Sequence, residues 1–183
     1  MAERYEVRFS GAGGQGLILA GVIFAEAAAI YDGKNAVQSQ SYGPEARGGA
    51  SKSEVIISDG EIDYPKATRI DALLALTQES SDKYSGDLKP GAIVLVDSDR
   101  VKELPRGDFK VYSLPIIEMA RSVGRTVVAN IVALAAITEL TGLISKEALE
   151  KAVLARVPRG TESLNKRALE AGFERARLLK EKG

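Results

Sequence analysis

Short apolar runs alternate along the chain with loops rich in glycine and polar residues, and the period of each run predicts its element. Tyr5-Glu6-Val7-Arg8-Phe9 alternates like a strand and stops at Gly11-Ala12-Gly13-Gly14-Gln15-Gly16. Residues 17–30 are almost all apolar or small, with Glu26 the one charge, which predicts a helix buried against a sheet. Residues 36–40 predict a second strand and residues 52–58 a third, closed by the turn Ser58-Asp59-Gly60-Glu61. The run 70–76 has strand length and leads into a polar helical segment over 78–84. Residues 92–96 predict a buried strand stopped by Asp97-Ser98-Asp99, and residues 110–114 another. Residues 126–140 predict a long apolar helix, Ser145 and Thr161 cap two more, and the sign-alternating stretch 170–182 predicts an exposed helix face. Strands alternating with helices predict an α/β fold: a three-layer, mainly parallel Rossmann-like sheet with helices on both faces and a helical C-terminal third.

Two loops do not fit apolar periodicity and carry the candidate chemistry. Gly11, Gly13 and Gly16 match G-x-G-x-x-G between a strand and a helix, a layout that turns backbone amides and a helix N-terminus toward an anion. A nicotinamide or flavin site would also want an acid at the end of the second strand, and Asp32 comes too early while Glu45 lies inside the second loop. The plain alternative is a tight strand-to-helix turn that binds nothing. The second loop is Ser41-Tyr42-Gly43-Pro44-Glu45-Ala46-Arg47-Gly48-Gly49-Ala50-Ser51, where glycines and a proline shape the path and hold one Tyr, one Glu and one Arg. In parallel sheets ligands gather at the carboxyl ends of strands, so residues 11–16, 77–79 and 97–99 are expected to share one crevice. Asp97, Asp99 and Thr77 also read as turn and cap residues. Asn130, in an apolar helix, needs a partner if buried, and a loop carbonyl or a ligand would serve. Arg156 and Arg159 flank a turn that suits a phosphate, a neighbouring carboxylate or solvent. Leu149, Val153 and Val157 fall at helical spacing and are expected to pack on the sheet.

The 183 residues suffice for one domain over 1–183 with a real core. Lys plus Arg number 25 against 25 Asp plus Glu, so nothing points to nucleic acid or to an anionic membrane surface. The start lacks an apolar signal core, and no run nears the roughly 18 apolar residues of a membrane helix, so a cytoplasmic location is expected. The chain has no Cys and no His. It therefore cannot hold an iron-sulfur cluster through thiolates, and a His-based triad or zinc site is excluded.

Residues 11–16 with Ala20-Gly21, residues 40–51, Leu76-Thr77-Gln78-Glu79 with Asp82-Lys83-Tyr84, then Ala129-Asn130 and Arg156-Val157-Pro158 together resemble the gamma subunit of the 2-oxoacid:ferredoxin oxidoreductases. The unbroken string from Ser41 to Gly49 looks most like the 2-oxoglutarate type. Indolepyruvate oxidoreductase subunits share the first loop but carry a different second one. The resemblance implies a subunit of an enzyme that converts a 2-oxoacid and coenzyme A to acyl-CoA, CO2 and reduced ferredoxin, and that is inactive alone. Thiamine diphosphate and iron-sulfur clusters are expected on alpha, beta and delta partner subunits, since a Gly-Asp-Gly…Asn-Asn thiamine signature is also missing here. The cofactor-binding residues expected are Gly11, Gly13, Gly14, Gln15 and Gly16, Ser41, Tyr42, Gly43, Glu45, Arg47, Gly48 and Gly49, with Gln78 and Asn130, the glycine loops and Arg47 either binding the phosphates of coenzyme A or closing the active-site channel at a subunit interface. No residue is expected to be catalytic. Arg47 is the first choice for a phosphate or carboxylate contact, with Tyr42 and Glu45 positioning the loop; its plain alternative is an internal ion pair with Glu45 or another acid. An isolated chain is expected to expose an apolar patch and self-associate. The competing readings are a free-standing nucleotide-binding or regulatory module and a scaffold subunit that binds no ligand.

Overall fold

The computed structural model describes residues 3–41 and 49–183. Among them, β1 (Arg4–Ala12), β2 (Asn35–Ser41), β3 (Ala50–Ser58), β4 (Ile70–Ala75), β5 (Leu88–Asp97) and β6 (Lys110–Leu114) form a six-stranded sheet in the order β2-β3-β1-β4-β5-β6. β1, β4, β5 and β6 are mutually parallel, as expected, whereas β3 runs antiparallel to both β1 and β2. Only residues 42–49 separate β2 from β3, too few for the crossover of a dozen or more residues that a parallel pair requires, so the two strands pair as a hairpin.

One face of the sheet carries α1 (Leu17–Glu26), α3 (Ile116–Val123), α4 (Ala129–Thr141), α5 (Lys146–Arg156) and α6 (Glu162–Lys182), whose apolar side chains join those of the sheet in the main core. Phe9 and Phe24 meet there edge to face, with centroids 5.4 Å apart. α4 is buried almost throughout, and α6 crosses it so closely that a Cβ on Gly172 would lie 2.3 Å from the Val132 carbonyl oxygen. α2 (Gln78–Tyr84) covers part of the other face over Ile70, Leu73, Ala75, Val94 and Val96. Beneath it Arg8, 3% exposed, donates to Glu54 (2.8 Å), to Asp87 (2.6 and 2.8 Å) and to the Tyr84 carbonyl (2.9 Å). The hydrogen bonds from Arg8 hold the Asp87 carboxyl below its ordinary range, against the opposing effect of partial burial.

Several elements differ from expectation. The helix over 17–30 is α-helical only to Glu26 and widens into a π-turn over Ala27–Tyr31. Beyond that turn Asp32 accepts the backbone N–H and the hydroxyl of Ser145 (2.7 and 2.8 Å), while Ser145 Oγ caps α5 by accepting from Ala148. Thr161 was expected to cap α6 in the same manner, but its hydroxyl donates to the Pro158 carbonyl instead (2.6 Å). α3 has no counterpart in the sequence reading; its signal is Pro115 followed by buried Ile116, Met119 and Ala120 at helical spacing. Among the described residues, no helix is long and apolar enough to cross a membrane.

Candidate functional site

The glycine loop leaves β1 and enters α1 at Gly16, which sits at φ 76°, a conformation that excludes most side chains. A Cβ there would also lie 2.6 Å from Asn130 Nδ2, which donates to the Gly16 carbonyl at 3.2 Å. Gly11 has no positive φ and is constrained by space alone: a Cβ would fall 2.3 Å from Gln15 Oε1, because that carboxamide folds back to accept the Ala12 amide at 2.7 Å. The amides of Ala12, Gly13 and Gln15 are thus used internally, the last two by the Gly49 and Ala12 carbonyls. Among the described residues no acceptor takes the amides of Gly14, Gly16 or Leu17, and no side chain caps α1. The loop presents a reduced anion cradle, built from these amides and the first turn of the helix.

The loop forms one wall of a cleft of about 750 Å³. Gly14, Gln15, Gly16 and Leu19 face residues 125–131 at the start of α4 and Thr161, Leu164 and Asn165 at the start of α6, with Leu76, Ile117, Val157 and Pro158 completing it. The N-termini of α1, α4 and α6 therefore converge on one space, and their aligned peptide dipoles make it favourable to negative charge. Glu162 offsets this at α6, whereas α1 and α4 carry no acid in their first turns. Arg125 is the charged side chain of the described lining and is exposed at its mouth. Leu19 and Val127, 39% and 68% exposed, give it an apolar rim. The described lining contains no carboxylate, lysine or tyrosine. Among the described residues no cluster of acids could hold a metal ion.

The structure brings Gly14, Gln15, Gly16 and Asn130 of the sequence-derived set into the cleft, with Gly11 and Gly13 shaping the loop behind it. Asn130 takes a loop carbonyl as its partner, one of its two expected options. Ser41 ends β2 opposite Lys52, and Gly49 ties the exit of the second loop to Gly13. Tyr42, Gly43, Glu45, Arg47 and Gly48 lie outside the described residues. Gln78 is not in the cleft. Its carboxamide is saturated by Asp82 and the Glu103 carbonyl (both 2.9 Å) and by the Lys102 and Glu103 amides (2.8 and 3.0 Å). The expected shared crevice is corrected likewise: Thr77 caps α2 through a reciprocal bond with Ser80, and neither residues 77–79 nor residues 97–99 line the cleft. Fully buried Asp97 accepts the amides of Asp99, Arg100 and Ile117, the last supplying to α3 a cap that Pro115 has no side chain to make. Arg156 takes the carboxylate option, pairing with Glu26 of α1, and Arg159 is exposed. Arg125 and Asn165 escaped sequence reasoning, and Thr161 was read only as a cap, since nothing in their spacing shows that two distant helix starts meet the glycine loop.

Comparison with known proteins gives concordant results. The pyruvate ferredoxin/flavodoxin oxidoreductase family matches residues 6–175. The chain is 54% identical over 179 residues to a 2-oxoglutarate synthase subunit KorC from Methanocaldococcus jannaschii, covering 96% of each chain. A second KorC, from Methanothermobacter thermautotrophicus, is 49% identical over 93% of this chain and 94% of its own. The crystal structure of a keto/oxoacid ferredoxin oxidoreductase gamma subunit from Geobacter sulfurreducens superposes with a TM-score of 0.89 at 66% identity, covering 95% of this chain and 97% of that one. The fold also recurs, at TM-score 0.84 and 24% identity, across 32% of a 2-oxoglutarate:ferredoxin oxidoreductase chain from Magnetococcus marinus.

Proposed function

Because the chain belongs to the pyruvate ferredoxin/flavodoxin oxidoreductase family, we propose that it is the gamma subunit of a 2-oxoglutarate:ferredoxin oxidoreductase. In that enzyme 2-oxoglutarate and coenzyme A give succinyl-CoA and CO2, and the two electrons released pass to ferredoxin. The observation that carries the reading is similarity over the full length to relatives of that name, 54% identical in the first of them. The free-standing nucleotide module and the indolepyruvate subunit are not favoured, because relatives named 2-oxoglutarate synthase subunits match 96% and 93% of this chain.

The residues present do not fit the redox and carbanion chemistry. A chain without Cys offers no thiolate to a cluster, and the described cleft contains no acid to assist thiamine diphosphate. Those groups are assigned to alpha, beta and delta partner subunits in a cytoplasmic complex. The cleft does fit an acyl acceptor that joins phosphates to an apolar arm. The first turns of α1 and α4, with Arg125, suit the phosphates; Leu19, Val127, Val157 and Leu164 suit the arm. Arg47 is proposed to add a second guanidinium contact to the phosphates. The work of this chain is to hold the thiol carrier so that the acyl group formed on a partner subunit meets it.

The test is anaerobic purification of the tagged chain from its native host. Co-recovery of thiamine- and cluster-bearing chains, with viologen reduction that needs both 2-oxoglutarate and coenzyme A, is the expected result. Recovery of the chain alone, without that activity, overturns the assignment.

A further inference from the structure

The cleft holds two buried carboxamides whose nitrogens are used and whose oxygens are not. Asn130 and Asn165 are 6% and 4% exposed, on the first turns of α4 and α6. Asn130 Nδ2 donates to the Gly16 carbonyl at 3.2 Å, and Asn165 Nδ2 donates to the Thr161 carbonyl (2.9 Å) and hydroxyl (3.2 Å). These bonds orient each amide, because only nitrogen can donate to a carbonyl. No donor among the described residues reaches either Oδ1. Among the described residues, the fully enclosed side-chain polar atoms without partners are Ser81 Oγ and Thr138 Oγ1, so both asparagine oxygens, which line the cleft, retain solvent access.

An acceptor facing a largely apolar space discriminates sharply. A ligand that supplies an N–H restores the hydrogen bond lost with water, whereas one that does not leaves a desolvated oxygen unpaired. Both oxygens also repel phosphate and carboxylate, which leaves the anions to the Gly14 and Gly16 amides and Arg125. Resting on the reading that this cleft takes the acyl acceptor, we propose that Asn130 Oδ1 and Asn165 Oδ1 are its specificity determinants, accepting N–H donors of the bound carrier. The donors have two sources of the same chemistry: the amides of the pantetheine arm and the exocyclic amine of the adenine.

The test is calorimetric titration of the full-length chain with two probe pairs. One pair is pantetheine and an analogue with ester oxygens in place of its amide N–H groups. The other is adenosine 3′,5′-bisphosphate and purine riboside 3′,5′-bisphosphate, in which hydrogen replaces the amine. The wild-type chain is expected to prefer the N–H member of at least one pair by roughly five- to tenfold, the scale of one unpaired buried acceptor. The pair that discriminates identifies the source. Asn130→Leu or Asn165→Leu should bring that preference close to unity. A purely structural role would weaken both members of a pair alike and leave their ratio unchanged. The proposal is overturned if the wild type prefers neither N–H member, or if the preference survives in both Leu variants. Failure of the subunit assignment reads out separately, as a chain that purifies without partners whatever these ratios are.

Discussion

Gly14 and Gly16 offer a controlled comparison, because both have positive φ, at 87° and 76°, and differ in what lies beyond the missing Cβ. Nothing stands within 4 Å of a Cβ on Gly14, whereas on Gly16 it would lie 2.6 Å from Asn130 Nδ2 and 3.1 Å from Asn130 Cγ. Gly14→Ala therefore meets only the left-handed backbone penalty of about 1–2 kcal/mol. Gly16→Ala meets the same penalty and also displaces the Asn130 amide from its bond to the Gly16 carbonyl, which adds about 1–3 kcal/mol for a buried amide left unpaired. The expected costs are thus about 1.5 kcal/mol for Gly14→Ala and about 3.5 kcal/mol for Gly16→Ala, read from urea unfolding midpoints at constant m-value. Asn130→Ala removes the obstacle, so Gly16→Ala in that background should fall to about the Gly14→Ala cost, a coupling of roughly 2 kcal/mol. Equal costs of Gly16→Ala in the two backgrounds would refute the claim that Asn130 is what demands glycine at this position.

Three further expectations test other parts of the molecule. Gly172→Ala, which on an exposed helix would stabilise by about 1 kcal/mol, should instead destabilise by about 1–3 kcal/mol because the methyl group would meet backbone of α4; thermal unfolding reports the sign. The folded-state pKa of Asp87 lies below its ordinary 3.8, so its contribution to stability is present above about that pH and is lost as the pH falls through the folded value. Asp87→Asn should flatten the pH dependence of stability in that acid window, and an unchanged slope there would remove the Arg8 pairing as its cause. Arg47→Ala in the assembled enzyme should raise the apparent KM for coenzyme A by roughly tenfold with kcat little changed, the scale of one charged hydrogen bond, and an unchanged KM would end the proposed phosphate contact.

Local chemistry made much of this protein legible in its sequence. The glycine loop between an alternating strand and an apolar helix, the caps at Thr77 and Ser145, and the polar helix from Gln78 to Tyr84 each follow from interactions within a few residues. The absence of Cys and His excluded thiolate and imidazole chemistry without any structure, and the family resemblance came from motifs spread over the whole chain. Other features depend on contacts between residues far apart in sequence, which local periodicity does not encode. The antiparallel place of β3 comes from the length of its connection to β2, and α3 was hidden because part of its cap comes from Asp97 on a neighbouring strand. The partners that saturate the Gln78 carboxamide come in part from residues 102–103, far along the chain. The cleft exists because packing brings the starts of α1, α4 and α6 together, and only that convergence turns Asn130 and Asn165 from buried helix residues into two oxygens open to a ligand.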